Sequence, residues 1–203
     1  GNYKKFNTNV DEADMVNDLF LISKKKNKLN NFNSEFSILF RNINTYGDLS
    51  TKYKDDENYN LISSALLNLQ YPLVKIKENS NNFLTPMVSI RYSPNSGINL
   101  KNDETLIGFN DLFSFDRINN KTVEKDAALT LGIEYKNLNK KNNENFKFGI
   151  GANFRDTNDE DLPLSSSLGQ KTSDLIGYSG INITENLSFD YNFSIDENLS
   201  ETN

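Results

Sequence analysis

The residues of this 203-residue chain that could do chemistry are acids and bases with no nucleophile beside them. There is no cysteine and no histidine. That removes disulfides, thiolate and imidazole metal ligands, and the commonest general base. Asp111, Asp116 and Arg117 can be read as acid, base and clamp. Paired carboxylates become catalytic only with a pocket and a cause for a raised pKa, and neither is visible, so an ion pair that packs a loop is the expectation. Asp156-Thr157-Asn158-Asp159-Glu160-Asp161 invites a calcium reading. It lacks the glycine at the sixth position and the spaced final glutamate of an EF-hand loop, so a solvated acidic loop is expected. No catalytic residue, metal or cofactor is therefore assigned. The net charge of −6 speaks against a nucleic-acid partner. The sequons at Asn120, Asn182, Asn186 and Asn198 are chance products of an asparagine-rich chain, relevant only in a secreted eukaryotic protein.

A second group of polar residues is ordered by periodicity. Phe146, Phe148, Ile150, Ala152 and Phe154 alternate with Lys147, Gly149, Gly151, Asn153 and Arg155. This period of two is that of a strand with one apolar and one polar face. Lys147, Asn153 and Arg155 share the polar face, and Asp126 and Glu134 occupy the polar face of the expected neighbour. These five could line an interior and touch a polar ligand, or form cross-strand charge pairs of about 0.2–1 kcal/mol.

The elements that position them are strands throughout. A second strict alternation runs through Leu187, Phe189, Tyr191, Phe193 and Ile195. The spacing predicts strands over 17–25 and 34–46 as a hairpin, then 59–77, 83–92, 126–135, 146–155, 174–183 and 186–195. Residues 1–16 read as a loop and 52–58 as a charged, solvated segment. Pro72 belongs at a strand end, bulge or edge, because it cannot donate to a ladder. Short Lys/Asn turns alternate with long irregular stretches at 98–125 and 156–171. The fold class is all-β, an antiparallel up-and-down meander of about eight strands. Its segments are nearer the roughly 9–11 residues of a membrane-crossing strand than the usual 5–6. Two settings fit, a soluble sandwich and a transmembrane barrel. Tyr46, Tyr71, Tyr92 and Tyr135 near strand ends would be the aromatic girdle of a barrel. No run approaches a transmembrane helix. The opening Gly1-Asn2-Tyr3-Lys4-Lys5-Phe6 lacks the apolar region of a signal peptide, so the barrel reading expects an internal piece of a longer chain.

The loops carry a resemblance. Asn102-Asp103-Glu104 precedes Phe109-Asn110-Asp111-Leu112-Phe113-Ser114-Phe115-Asp116-Arg117. Then come Phe154-Arg155, Leu162-Pro163-Leu164-Ser165-Ser166-Ser167-Leu168, and Lys171-Thr172-Ser173-Asp174-Leu175-Ile176-Gly177. In order and spacing these resemble the C-terminal barrel of the LptD family, the lipopolysaccharide-assembly outer-membrane (organic solvent tolerance) proteins. The resemblance is strongest over 55–195, and the matching loop positions are Asn110, Asp111, Leu112, Phe113, Ser114, Arg117, Ser173, Asp174 and Gly177. The chain departs from the family where Asn102-Asp103-Glu104 inverts the acidic pair, where Ile118-Asn119-Asn120-Lys121 replaces a glycine-rich stretch, and where Ser166-Ser167-Leu168 replaces Ser-Gly-Leu.

The resemblance implies that residues 1–203 are part of a large barrel, with no complete second domain, in the outer membrane of a Gram-negative bacterium. It implies a non-enzymatic role in lipopolysaccharide transport and assembly. The implied partners are lipopolysaccharide, an LptE-type lipoprotein plug, LptA-type periplasmic bridge proteins and outer-membrane lipid. It also leaves divalent bridging between the acidic loop and lipopolysaccharide phosphates as an option. A generic porin or channel is the alternative of similar class; a soluble β-sandwich binding or adhesion module is the alternative of a different class.

Overall fold

The computed structural model describes every residue except 6–9, 28–31, 51–57, 95–99, 102–103, 120–121, 141–142, 185 and 197–203. Alternating sequence becomes one antiparallel sheet of ten strands. The strands are β1 (Asn2–Lys5), β2 (Asp11–Asn27), β3 (Phe32–Asp48), β4 (Asn58–Gln70), β5 (Leu73–Ile76), β6 (Ser80–Ser93), β7 (Asp126–Asn139), β8 (Glu144–Arg155), β9 (Leu175–Thr184) and β10 (Leu187–Ile195). Each pairs with its neighbours in chain order, except that β4 and the short β5 both pair with β6. The up-and-down meander is thus observed, and the sheet is open, with β1 and β10 at its edges.

Two strands exceed the sequence expectation. Residues 1–16 contain β1 and the first pairs of β2, where Asp11–Asp14 pair with both β1 and β3. Their polar side chains hid the strand, because a barrel strand needs no apolar face where it rises above the lipid. The expected strand at 59–77 is divided. Tyr71 and Pro72 interrupt it, as the missing N–H of proline requires, and β5 resumes at Leu73. The segment 52–58 lies outside the described residues apart from Asn58, which opens β4.

The register fixes which face each side chain takes. On one face, Phe40, Ala65, Leu67, Ile90, Leu129, Leu131, Ile133, Phe148, Ile150 and Phe154 lie in paired rows. On the other, Arg41, Ser64, Ser89, Arg91, Thr130, Asn153 and Arg155 do. The burial is inverted relative to a soluble protein. Arg41 and Arg91 are 0% and 1% exposed, whereas Leu19, Leu21, Leu61 and Phe189 exceed 50%. Among the described residues no second layer covers the apolar face, here the outer face; everything that packs on the sheet packs on the inner face.

Tyrosines mark both ends of the outer face. Tyr46, Tyr59 and Tyr92 stand toward the long-loop end, and Tyr71 and Tyr135 toward the short-turn end. Along β6 the step from Tyr92 to Leu84, the partner of Tyr135, is about 26 Å at ~3.3 Å per residue, against an apolar band about 25 Å tall in outer-membrane barrels. Beyond Tyr135 the outer face of β6 and β7 turns polar, with Asn82 paired to Asn137. The Tyr135 hydroxyl donates to Asn82 Oδ1 at 2.9 Å, and an amide ladder continues through Asn137 to Asn145.

Candidate functional site

The inner face is roofed at its long-loop end by residues 107–119 and 122–124, here called the strap. A barrel interior is ordinarily lined by polar side chains, and this strap determines which of them meet solvent. The strap lies on small residues. Gly132 and Gly151 face inward from β7 and β8. A Cβ on Gly132 would come within 2.7 Å of the Phe113 ring, and one on Gly151 within 3.2 Å of Leu112 and 2.8 Å of the Leu131 carbonyl oxygen. The strap crosses here as a single 3-10 turn, Asp111–Phe113. Phe109 stacks edge-on to Phe113 and Tyr178 at 5.6 and 5.3 Å. Phe109 and Leu112 join Leu162 and Leu168 of the second long loop and Ile176 of β9 in one buried cluster. At its other end the strap drops Val123 and Phe115 onto Leu39, Ile43 and Ile62 of β3 and β4.

Between these apolar seats lies a buried charge cluster. Arg117 donates to Asn153 Oδ1 at 2.8 Å and to Thr130 Oγ1 at 2.7 Å, and stands 3.3 Å from the Glu124 carboxylate. Arg155 donates to Glu124 at 3.0 Å and to the Lys125 carbonyl, and pairs with Asp159 at 3.5 Å. Arg91 reaches the carbonyls of Ser114 and Phe115, and Glu124 at 3.8 Å. Burial alone would raise the carboxyl of Glu124; Arg117, Arg91 and Arg155 around it more than offset this and hold it below the usual carboxylate range. Burial also lowers the Arg117 guanidinium, against the pull of Glu124. A third tie lies nearer the edge: Arg41 holds Asp18 with two bonds of 2.8 and 2.7 Å and Asp116 with one contact of 2.8 Å.

Toward the short-turn end the inner face is unroofed. Lys147 pairs with Asp190 at 2.9 Å and Glu144 at 3.5 Å, Lys136 with Glu134 at 2.9 Å, and the Tyr178 hydroxyl donates to Glu134 at 2.6 Å. Lys136, Glu144, Lys147, Tyr178 and Asp190, with Asn110 and Asn192, surround an open hollow of about 390 Å³.

The residues singled out from sequence separate between these zones. Lys147 lines the open hollow, and Glu134 stands behind it, held by the lining residues Tyr178 and Lys136. Asn153 and Arg155 lie in the closed cluster, at 0% and 7% exposure, where a soluble ligand does not reach them. Asp126 is exposed at the head of β7 with φ 64°, a conformation aspartate tolerates, and accepts from Thr157 at 3.4 Å. None of the expected cross-strand pairs among these five forms. The register sets Lys147 opposite Lys136, Asn153 opposite Thr130 and Arg155 opposite Ala128, so their partners come from other elements. Ion pairs do pack the loop that holds Asp111, Asp116 and Arg117, but none forms among these three. Arg117 pairs with Glu124, Asp116 with Arg41, and Asp111 accepts from the Gly108 amide at 3.0 Å. The acidic stretch at 156–161 is not simply solvated, because Asp159 is buried and accepts from the amides of Lys125 and Asp161. Among the described residues no cluster of acidic side chains could hold a metal ion.

A family model described as LPS transport system D matches residues 25–203. The chain belongs to the LptD family. No individual curated protein matches it. The family is that of outer-membrane barrel proteins of lipopolysaccharide transport, in keeping with the all-β meander and its exposed apolar face.

Within this LptD-family chain the motif positions have physical duties. Leu112, Phe113 and Arg117 are strap anchors. Ser114 donates to the Asp111 carbonyl at 3.0 Å and so closes the 3-10 turn, while Asn110 precedes that turn and borders the hollow. Ser173 Oγ accepts from the Asn153 amide and donates to the Asp174 carbonyl, both at 2.9 Å. The Asp174 carboxylate accepts from Ser194 at 3.0 Å. Gly177 faces outward and gives its space to the Phe193 ring, which a Cβ would meet at 2.4 Å. Sequence reasoning did not single out Arg41, Arg91 or Glu124. A lone arginine in an alternating strand was the available signal for both arginines; Glu124, in an irregular segment, carried none.

Proposed function

We propose that the chain forms wall of a larger outer-membrane barrel that passes lipopolysaccharide to the cell surface, without catalysing a reaction. The observation that carries this reading is the exposed apolar outer face, continuous over β6 to β8 between Tyr92 and Tyr135 and backed by charged residues on the inner face. That is the arrangement lipid selects, since it rewards apolar side chains outside and leaves polar ones to the interior. Further strands of the same barrel would continue the sheet at β1 and β10.

The residues proposed to meet polar cargo or a lipoprotein plug of the LptE type are those of the open hollow, Lys147, Lys136, Asp190 and Tyr178, with Glu134 proposed to position Lys136 and Tyr178. Asn153, Arg155 and Asp126 are proposed to hold loops. Periplasmic bridge proteins of the LptA type would meet parts of the barrel protein beyond these strands. A soluble sandwich is disfavoured because its apolar face would need a second sheet. A general porin is disfavoured by the strap, which covers inner wall that a diffusion channel would expose to water.

The test is Ile150→Arg. Ile150 lies on the outer face between its partners Ile133 and Gly177. A charge near the membrane midplane costs about 2–4 kcal/mol, so the variant should fail to assemble in the outer membrane, whereas Ile150→Leu should assemble. Normal membrane assembly of Ile150→Arg would overturn the reading.

A further inference from the structure

We infer that the strap is a fixed partition on the inner face of this wall and not a lid, so that the inner face beneath it stays closed to cargo throughout transport; this rests on the outer-membrane reading proposed above. The strap is held from both sides of the join. Arg91 and Arg155 extend from β6 and β8 to strap carboxylate and to the backbone carbonyls of Ser114, Phe115 and Lys125. Arg117 and Glu124 extend back from the strap to Thr130, Asn153 and Arg155. Its two apolar seats are far apart in the sheet, one on β7 to β9 and one on β3 and β4. Lifting one end therefore leaves the other seated.

The surface beneath is also unsuited to a hydrated passage. Leu39, Ile43 and Ile62 are 0–1% exposed under Val123 and Phe115. Raising the strap would put this apolar strip into water and separate Glu124 from Arg91 and Arg155. By contrast Lys147, Asp190, Lys136 and Glu134 are already hydrated and paired with one another, with no roof to remove. The boundary falls at the row of Glu134 and Gly149, one pleat beyond Gly132 and Gly151, where the Phe109 ring still covers Gly149 and the Glu134 side chain meets Lys136 and Tyr178. Polar cargo meets the interior only on the short-turn side of that boundary.

The test is cysteine accessibility in the full-length protein in cells, with a membrane-impermeant maleimide, while lipopolysaccharide transport runs and while it is arrested. Leu106→Cys, at a site 83% exposed just before the strap, is the accessible reference. Leu112→Cys reports the glycine seat and Val123→Cys the other seat. A fixed partition predicts labelling of both at least ~10-fold slower than the reference, at the same rate in either transport state. Labelling of Leu112→Cys or Val123→Cys that accelerates when transport runs would overturn it. If either cysteine blocks assembly, hydrogen exchange of the strap amides is measured in the unsubstituted protein, with and without transport substrate. Protection that substrate leaves unchanged supports the partition, and protection lost with substrate overturns it. Surface lipopolysaccharide is measured in the same cells after depletion of the protein. If it does not fall, the transport reading itself fails, whereas a moving strap would leave that reading intact.

Discussion

Arg117 shows how much one side chain can carry in this molecule. Its guanidinium joins the strap to β7 through Thr130, to β8 through Asn153 and to Glu124 in a region without water contact. Removing one partner of a buried ion pair costs about 3–5 kcal/mol, so Arg117→Met should lower stability by that order, measured by denaturant unfolding in detergent. Arg117→Lys should recover only part, because an ammonium cannot supply the planar fork. The double variant Arg117→Met with Glu124→Gln should cost less than the sum of the singles; strict additivity would mean the two do not act as a pair. Glu124 also sets a pH dependence. Its folded pKa is held below the ordinary glutamate value of about 4.3, so its contribution is complete above that value and is lost as the pH falls through the depressed one. Strap protection should therefore persist at pH 5 and decline only once the pH is below the ordinary glutamate value, and Glu124→Gln should flatten that decline. At this scale the sequence was only partly legible. Arg117 stood out through its motif, but its partner Glu124 lies in a stretch without periodicity, and no local pattern shows which carboxylate folds back onto it.

At the scale of elements, the strap and the strands depend on each other through inward glycines. Gly151 sits against the Leu131 carbonyl oxygen and the Leu112 side chain, and backbone cannot yield as a flexible side chain can. Gly151→Val should unseat the strap and raise hydrogen exchange of residues 109–117. At Gly180 the nearest atoms belong to the Lys147 and Asp190 side chains, which can swing aside, so Gly180→Ala should have a much smaller effect. Equal exchange in the two variants would mean that the seat does not hold the strap. The strands themselves were legible where one face must be apolar: 83–92, 126–135, 146–155 and 186–195 all lie within observed strands but for Asn186, and the assigned faces are the observed ones. The alternation failed at residues 11–16, where charged side chains occupy a strand beyond the apolar band, and at Leu19-Phe20-Leu21-Ile22. There both faces are apolar, because Leu19 and Leu21 face outward while Phe20 lies 5.9 Å from the Phe115 ring of the strap.

For the whole molecule, the outer face predicts a requirement for amphiphile. The protein should remain monodisperse, with a strand-dominated circular dichroism spectrum, in detergent or lipid, and should aggregate when the amphiphile is removed, because a broad exposed apolar surface has no partner in water. A monomer in plain buffer would mean that the outer face is covered by protein. The sequence by itself determined the sheet: side chains alternate at a period of two, and that period survives any arrangement of the strands in space. It determined the family as well, through loop residues whose order along the chain needs no coordinates. Only the tertiary structure decided what the loops do. The stretches at 98–125 and 156–171 leave the sheet at one end and fold back over its inner face. Contacts such as Arg41–Asp116, Arg91–Glu124 and Arg117–Asn153 join residues 75, 33 and 36 positions apart by the difference of their numbers. No local spacing constrains such distances. They are set by where a curved wall of strands brings its polar side chains, and by which inward glycines leave room for a chain to cross.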